Sequence, residues 1–484
     1  MKKILENLSW ELALYTEIPG VSDVKAKVEE AIGGDIGVAL EAVQGAERTL
    51  KIIKSWAHKD PALLQRLQNT KDRLWTEEPE AKIDKEKAHN LAKQFYESNQ
   101  KAIWASTAFK ISHIGKEVVE AIIKIFEEQW KSIDYIDVDE PYFHATLLEG
   151  TGEEWLNVIK DRRLEKFDNV VKLVNVRQTM PSDIQNIVSP EANILLNAFA
   201  KAWEQRLRSG ELFYTLTSIP TPEEAKLDGM DYDAYVDLFF ESCDQPRDEI
   251  GKAQELLIHK MDAAKQVRIW NQDGTDISVD IDGMTFANSL VLKNIPWSEA
   301  FSAAKKHGVN GKIVTKWNYK YRNSPIIKDP VMEIENGKII NAYAADEAST
   351  LAFNEILDTD EGARYFGEFA IGTNPHLRKQ FLNPLLVEKV WGSFHMAAWQ
   401  SYTYKTYDGK PVNLDNWNGS NIHWDITTML RDQNSEIIVD GEAIQRNGLW
   451  LDPQLRVLNE WWGAVSEERQ PKRWKEKYPQ GYNQ

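Results

Sequence analysis

Residues 267–283 read VRIWNQDGTDISVDIDG. Val267 and Ile269 flank Arg268, and Ile277, Val279 and Ile281 alternate with Ser278 and Asp280, on either side of the pair Asp273-Gly274. Period-two alternation broken by Asp-Gly is the signature of a β-hairpin. The pattern returns in GKIVTKWNYKY (311–321), VMEIENGKIINAYA (331–344) and EIIVDGEAIQRNGLWL (436–451), with Asn336-Gly337, Asp440-Gly441 and Asn447-Gly448 as turn pairs. From Val267 onwards the chain therefore reads as β-rich. Two interposed stretches, TLAFNEILDTDEGARYF (350–366) and SFHMAAWQSYTY (393–404), are predicted to be helical.

Upstream the pattern differs. Residues 1 to about 135 read as helices. In GKEVVEAIIKIFEEQW (115–130), Val119, Ile122, Ile123, Ile125 and Phe126 form one apolar face with Glu and Lys opposite. TEEPEAKIDKEKAHN (76–90) has little to bury and reads as a linker. Strand candidates follow at Tyr135–Val138, VVKLVNVRQT (170–179) and LFYTLTSIPT (212–221), interleaved with helical stretches. That alternation predicts an α/β domain with a mainly parallel sheet. The fold class is thus α/β: a helical extension (1–118), an α/β domain (119–266), a β-rich α/β domain (267–452) and a Trp-rich tail (453–484). In the tail, Trp461, Trp462, Trp474 and Tyr478 either pack on an apolar surface or meet a partner, and packing is the expected role.

Composition narrows the function classes. With 58 Lys and Arg against 75 Asp and Glu, the formal net charge is −17. A broad phosphate-binding face is excluded, because it needs clustered basic residues. The basic stretch RQPKRWKEKYPQGYN (469–483) is interleaved with Glu and reads as a solvated tail. No apolar run reaches the ~20 residues of a membrane span. The opening MKKILENLSWELALYTE (1–17) reads as a helix, since Glu6, Glu11 and Glu17 interrupt it. Cys243 is the single cysteine, so no internal disulfide can form and a cytoplasmic protein is expected. Beside Phe239 and Phe240 it reads as a packed residue rather than a nucleophile.

Nine histidines can each be weighed. His58, His89, His113, His259 and His307 lie on helical or Lys-rich stretches without acidic partners at ligand spacing. His144 sits among apolar neighbours, and His376 follows a proline in a loop. In SNIHWDITTM (420–429), strand alternation puts His423 and Asp425 on one face, either as two metal ligands or as a hydrogen-bonded pair. In GSFHMAAWQSY (392–402) a helix is predicted from an N-cap at Ser393. His395 and Tyr402 then lie two turns apart on one face, as a site or as the polar edge of an amphipathic helix. In LDTDEGARYFGEFAIGTN (357–374) a helix is predicted from Asp358, with Glu361 as capping partner and Gly367 as the terminating glycine. Glu368 then opens an apolar segment, where a carboxylate needs a partner. Glu299 follows the turn in KNIPWSEAF (293–301). Mixed carboxylate and imidazole donors suit zinc, cobalt or manganese better than calcium. Two such ions ~3.5–4 Å apart bring a bridging water to a pKa of ~7.

These blocks resemble, in order, those of the aminopeptidase T and aminopeptidase S group of thermophilic-type metallopeptidases. NIPWSEAF is similar to the family's Asn-Ile-Pro-x-x-Glu-x-Phe block, and LDTDEGARYFGEFAIGTN to its acidic helix with a following Gly-Glu. VEKVWGSFHMAAWQSY resembles the Glu-Lys-x-x-Gly-Thr-x-His helix, SNIHWDITTM the His-x-Asp strand, and IIVDGEAIQRNGLWL the final hairpin. The resemblance covers 267 to about 451, and more weakly reaches upstream through SIPTPEEA. It implies metal ligands at Glu299, Glu368, His395, His423 and Asp425 for two divalent ions (Zn, Co or Mn). It further implies a catalytic Tyr402, Glu299 or Glu368 as the proton carrier, and a homodimer acting on peptides. Trp391 and Trp297 depart from the family pattern, each standing where a small residue is usual, and are expected to narrow the pocket. The expected function is a divalent-metal aminopeptidase. A dipeptidase or deacylase using the same ligands is the alternative within enzymes, and a catalytically impaired peptide-binding relative the alternative outside them.

Overall fold

The computed structural model describes residues 1–74, 83–99, 107–112, 115–129, 133, 135–139, 141–152, 155, 172–177, 205–206, 209, 211–290, 293–321, 324–431, 434–470 and 472–477. His113, Tyr478, much of the 76–90 linker and most of EEWLNVIK (153–160) lie outside them. The chain divides into two compact units: Met1–Val236 with Val291–Ile295, and Asp237–Leu290 with Pro296–Gln484.

In the first unit, the helices Lys2–Ala13, Val21–Glu30, Ile36–Lys54, Pro61–Leu74 and Lys85–Asn99 precede a sheet. Among the described residues its strands are β1 (Thr107–Ser112), β2 (Tyr135–Asp139), β3 (Lys172–Arg177) and β4 (Phe213–Ser218), in the order β2-β1-β3-β4 with every pairing parallel. The expected parallel sheet is present. The purely helical reading of 1–118 needs correction, because β1 lies inside it and pairs on both sides. Phe109 and Ile111 are buried, and Phe109 meets Phe126 edge-on at 5.2 Å. Phe109 and Ile111 alternate with Ala108 and Lys110, a period-two signal within a stretch otherwise read as helical. The helix Lys116–Glu128 buries Val118, Val119, Ile122, Ile123, Ile125 and Phe126, the face its periodicity predicts.

The second unit opens with the helix Arg247–Asp262 and is then dominated by antiparallel strands. These are β5 (Gln266–Trp270), β6 (Asp276–Asp280), β7 (Ala287–Asn288), β8 (Glu299–Ser302), β9 (Val309–Val314), β10 (Asn318–Tyr319), β11 (Ile327–Lys328), β12 (Val331–Glu335), β13 (Lys338–Tyr343) and β14 (Phe366–Gly372). After them come β15 (Ser393–Trp399), β16 (Thr406–Tyr407), β17 (Lys410–Pro411), β18 (His423–Met429), β19 (Glu436–Val439), β20 (Glu442–Arg446) and β21 (Leu449–Trp450). One sheet runs β13-β12-β9-β6-β5-β19-β20-β21 and another β18-β15-β14-β8-β7. The hairpin turns behave as their residues dictate. Asn336-Gly337, Asp440-Gly441 and Asn447-Gly448 all have positive φ at both positions, the geometry that matches strand twist. An added Cβ at Gly337 would collide with the Lys306 carbonyl.

Of the two helices predicted in this unit, one is overturned and the other is shortened. Ser393–Trp399 is strand β15, so Ser393 caps no helix, and His395 and Tyr402 share no helical face. The helix at 350–366 is in fact Glu347–Leu357, capped by Asp346 and ending at Asp358. A 3-10 turn at Glu361–Arg364, capped by Asp360, follows it. Gly367 terminates nothing: it lies in β14 at a register shift between Phe366 and Glu368, with no room for a Cβ beneath the Trp399 carbonyl. Every residue of β14 and β15 is buried. A strand covered on both faces shows no alternation, so its apolar run cannot be told from a helix by period.

Phe369, in β14, is fully buried and meets Phe286 edge-on with ring centroids 6.0 Å apart. Phe369→Ala is expected to destabilise the protein by about 3–5 kcal/mol, measured by denaturant unfolding.

Candidate metal centre

The sheet register assembles the site. Across β14 and β15, Glu368 opposes Ala397, Ala370 opposes His395, and Gly372 opposes Ser393. Across β15 and β18, Trp399 opposes His423, Ala397 opposes Asp425, and His395 opposes Thr427. Across β14 and β8, Gly372 opposes Glu299. Directly opposed residues of antiparallel strands share a face. Glu299, Glu368, His395, His423 and Asp425 therefore project from one face, although they come from four strands. The residues between them on that face, Ala370, Gly372, Ala397 and Thr427, are small and leave the larger polar groups space. Trp424 points to the opposite face, where it packs on Phe353 at 5.3 Å and Tyr321 at 5.7 Å.

The polar atoms converge without satisfying one another. His395 is fully buried, with Nε2 at 3.8 Å from Glu299 Oε2, 3.9 Å from Glu368 Oε1 and 4.0 Å from Asp425 Oδ1. Among the described residues, neither ring nitrogen of His395 nor Glu299 Oε2 has a hydrogen-bond partner. A buried donor or acceptor left in this state costs about 1–3 kcal/mol. Donor atoms of Glu299, Glu368 and His395 lie within 4.8 Å of one another, and so do those of Glu368, His423 and Asp425. A third set joins Glu388 to His395 and Asp425. The His395 nitrogen and the Glu299, Glu368 and Asp425 oxygens around it, buried and too far from it for hydrogen bonds, fit a divalent cation. Glu368 belongs to the first two sets and lies between them.

Two site residues escaped the sequence reading. Lys389 is fully buried, and its Nζ donates to Glu299 Oε1 at 2.6 Å and Glu388 Oε1 at 2.7 Å. The signal for them was a Glu-Lys pair inside the apolar run LLVEKVWG (385–392), since buried charges come paired. The loop carrying Lys389 passes close over Gly372, where a Cβ would strike the Val390 carbonyl. Glu299 itself follows Ser298, which has φ +101, a strained conformation for a residue with a side chain. Buried neighbours hold it: Ser298 Oγ is 2.8 Å from Thr373 Oγ1, and Gln254 Nε2 donates to both oxygens.

Charge is concentrated here. Burial pushes the Glu299 carboxyl up to about 7, against the Lys389 ammonium beside it. Burial alone would lower His395, but the carboxylates of Glu368, Asp425 and Glu299 more than reverse this and raise it to about 9. Burial likewise opposes ionisation of Asp425, yet His423 holds it well below the usual carboxylate range. Lys389 is held above its ordinary value by Glu299 and Glu388 despite its burial.

His423 is the most open of the five predicted residues, with its side chain 40% exposed and Nε2 3.3 Å from Asp425 Oδ1. Tyr402 lies past the end of β15, and its hydroxyl donates to Glu368 Oε2 at 3.5 Å. The other predicted features sit in the core. Trp297 is buried, and its carbonyl accepts from Gln245 and Asn374. The Trp391 ring has the Arg378 and Arg431 guanidinium carbons at 4.8 Å and 4.9 Å. His376 packs against Trp461 and Trp474, which gives those tail residues the expected packing role. Cys243 is buried, and its thiol is pushed well up by burial, the state of a packed residue.

Antiparallel strands that bring carboxylates and imidazoles to one face present the donor set that metallohydrolases use. Residues 110–450 match the thermophilic metalloprotease family M29, and this chain belongs to that family. Aminopeptidase AmpS of Bacillus subtilis (strain 168) is 30% identical over 202 residues, 37% of this chain and 48% of that protein. Aminopeptidase 2 of Geobacillus stearothermophilus is 28% identical over 169 residues, 32% of this chain and 40% of that protein. Each match thus spans less than half of the curated relative. Wild-type AmpT from Thermus thermophilus superposes with a TM-score of 0.56 at 15% identity, over 75% of this chain and 99% of that one, and shares the fold. Membership of M29 implies use of a divalent metal. Among the described residues no helix is long and apolar enough to cross a membrane.

Two outcomes are expected. Lys389→Met leaves the Glu299 and Glu388 carboxylates buried without a counter-charge and should cost about 3–5 kcal/mol, read from denaturant midpoints. In the metal-free protein, Glu299 keeps its proton to about 7 instead of 4.5, and His395 keeps its proton to about 9 instead of 6.5. The folded state binds more protons than the unfolded chain across both windows, so stability should fall as pH rises from about 4.5 to 8, above which Lys293, lowered to about 8 by burial, works the other way. Thermal melts across that range check the sign, and saturating divalent metal should flatten the slope.

Proposed function

We propose that this protein is a divalent-metal aminopeptidase that removes N-terminal residues from peptides. The observation that carries the reading is the pair of donor sets sharing Glu368, arranged around a buried His395 with no hydrogen-bond partner among the described residues. The proposed ligands are Glu299, Glu368, His395, His423 and Asp425, holding two ions of zinc, cobalt or manganese. Such ions, when bound, supply the charge that acidifies water and polarises a carbonyl. The sheet face fixes the ligands before substrate arrives, so little reorganisation accompanies the reaction. The Tyr402 hydroxyl, beside Glu368, donates a hydrogen bond to the oxygen of the scissile carbonyl as charge develops on it. Either Glu299, whose carboxyl burial raises to about 7 despite Lys389, or Glu368 accepts the proton lost by water and returns it to the leaving amine. The surplus of carboxylates favours a substrate with a free ammonium at its N-terminus.

The family resemblance supports a homodimer, and the absence of a possible internal disulfide supports a cytoplasmic setting. Residues 267–452 are proposed as the catalytic domain.

Cleavage of aminoacyl-anilides with added cobalt, zinc or manganese tests the reading. Turnover should be lost on chelation and restored by metal, and Tyr402→Phe should lower kcat by about 10²–10³-fold with metal content unchanged. Protein that retains metal yet turns over no anilide with any of the three ions would exclude the aminopeptidase assignment.

A further inference from the structure

Trp399 ends β15 on the face that carries His395 and Ala397, and opposes His423 in the register. Its indole lies flat on the His423 imidazole, with ring centroids 3.7 Å apart and planes 11° from parallel. The same indole meets the Tyr402 ring edge-on at 4.7 Å and 88°. Trp399 is only 6% exposed, whereas the His423 side chain it covers is 40% exposed. The other four proposed ligands are all 9% exposed or less and are held by their surroundings. His423 has a strand backbone, a contact to Asp425 and one covered ring face.

We propose that Trp399 is a positioning residue that sets the His423 imidazole and the Tyr402 phenol with a single indole. An exposed imidazole on a strand end samples more than one rotamer, and a ligand must be restricted to one before it binds metal. Stacking supplies that restriction without consuming either ring nitrogen, so Nε2 stays directed at Asp425 and the metal position. The edge-on contact packs the phenol, which also meets Tyr404 and Phe301, against the same indole beside Glu368. One side chain thus links a ligand to the group proposed to steady the substrate carbonyl. The inference rests on His423 being a ligand, as the aminopeptidase reading holds.

The test is a Co²⁺ titration of the full chain, followed by calorimetry and by the visible absorption of the bound ion. Trp399→Leu keeps apolar volume but lacks a π-face, and should weaken the Co²⁺ site that includes His423 by about 10–100-fold and change its spectrum. Trp399→Phe, which restores a ring, should recover most of the affinity. In a His423→Ala background the same Trp399→Leu change should alter Co²⁺ affinity by less than about twofold, because the stacking partner is gone. Should the leucine variant fail to fold, Trp399→Met takes its place in both backgrounds. Wild-type affinity in Trp399→Leu, or an equal loss with and without His423, would overturn the positioning role while leaving the metal site intact. Failure of the wild-type chain to bind Co²⁺ at all would instead overturn the metal reading itself, and this proposal with it.

Discussion

Four carboxylates are buried around one imidazole on a single sheet face. Glu299, Glu368, Glu388 and Asp425 are each 9% exposed or less, and the Lys389 ammonium bonds two of them. Like charges at this spacing in a dry environment repel strongly unless cations are interposed or protons taken up. The upward shifts of Glu299 and His395 show the second route in operation. A divalent cation would satisfy the same demand without protons, and would engage the His395 nitrogen and the Glu299 oxygen that lack hydrogen bonds among the described residues. The site is therefore a place where folding has accumulated negative charge, balanced in part by one lysine.

Such a cluster can form only if the scaffold holds it against repulsion. Strands β8, β14, β15 and β18 do so by register, because each pairing fixes which residues share a face. The Gly367 bulge sets which side of the sheet receives Glu368. The small residues Ala370, Gly372 and Ala397 keep the floor low, and the loop at Lys389 and Val390 covers it. Ser298 shows what this placement costs locally: a positive φ, held by Gln254 and Thr373, immediately before Glu299. Strain at this position has a clear beneficiary, since Glu299 enters the sheet directly after it.

Much of this was legible in the chain itself. The Asn-Gly and Asp-Gly pairs announced their hairpins, because few residues accept positive φ at two successive positions. His423 and Asp425 were placed on one face by strand alternation, which holds in the structure. The stretches that carry His395 and Glu368 have a pattern that predicts helix, yet both residues lie on strands. Their stretches are buried on both sides, which erases the period that separates strand from helix. Tyr402 reaches the site from beyond a strand end, not from a helix two turns below His395. Lys389, Glu388 and the stacking of Trp399 on His423 depend on neighbours distant in sequence or across the sheet.

By itself, the sequence determined which residues offer candidate donor groups, the turn positions, the parallel α/β sheet near the start and the β-rich character of the later half. Each of these follows from local chemistry: imidazole and carboxylate groups, glycine's freedom at positive φ, and side-chain period. Only the tertiary structure decided that the donors share one face, that Glu368 stands between two donor sets and that Lys389 offsets part of their charge. Those are matters of register between strands separated by tens of residues, and register is fixed by pairing and burial together.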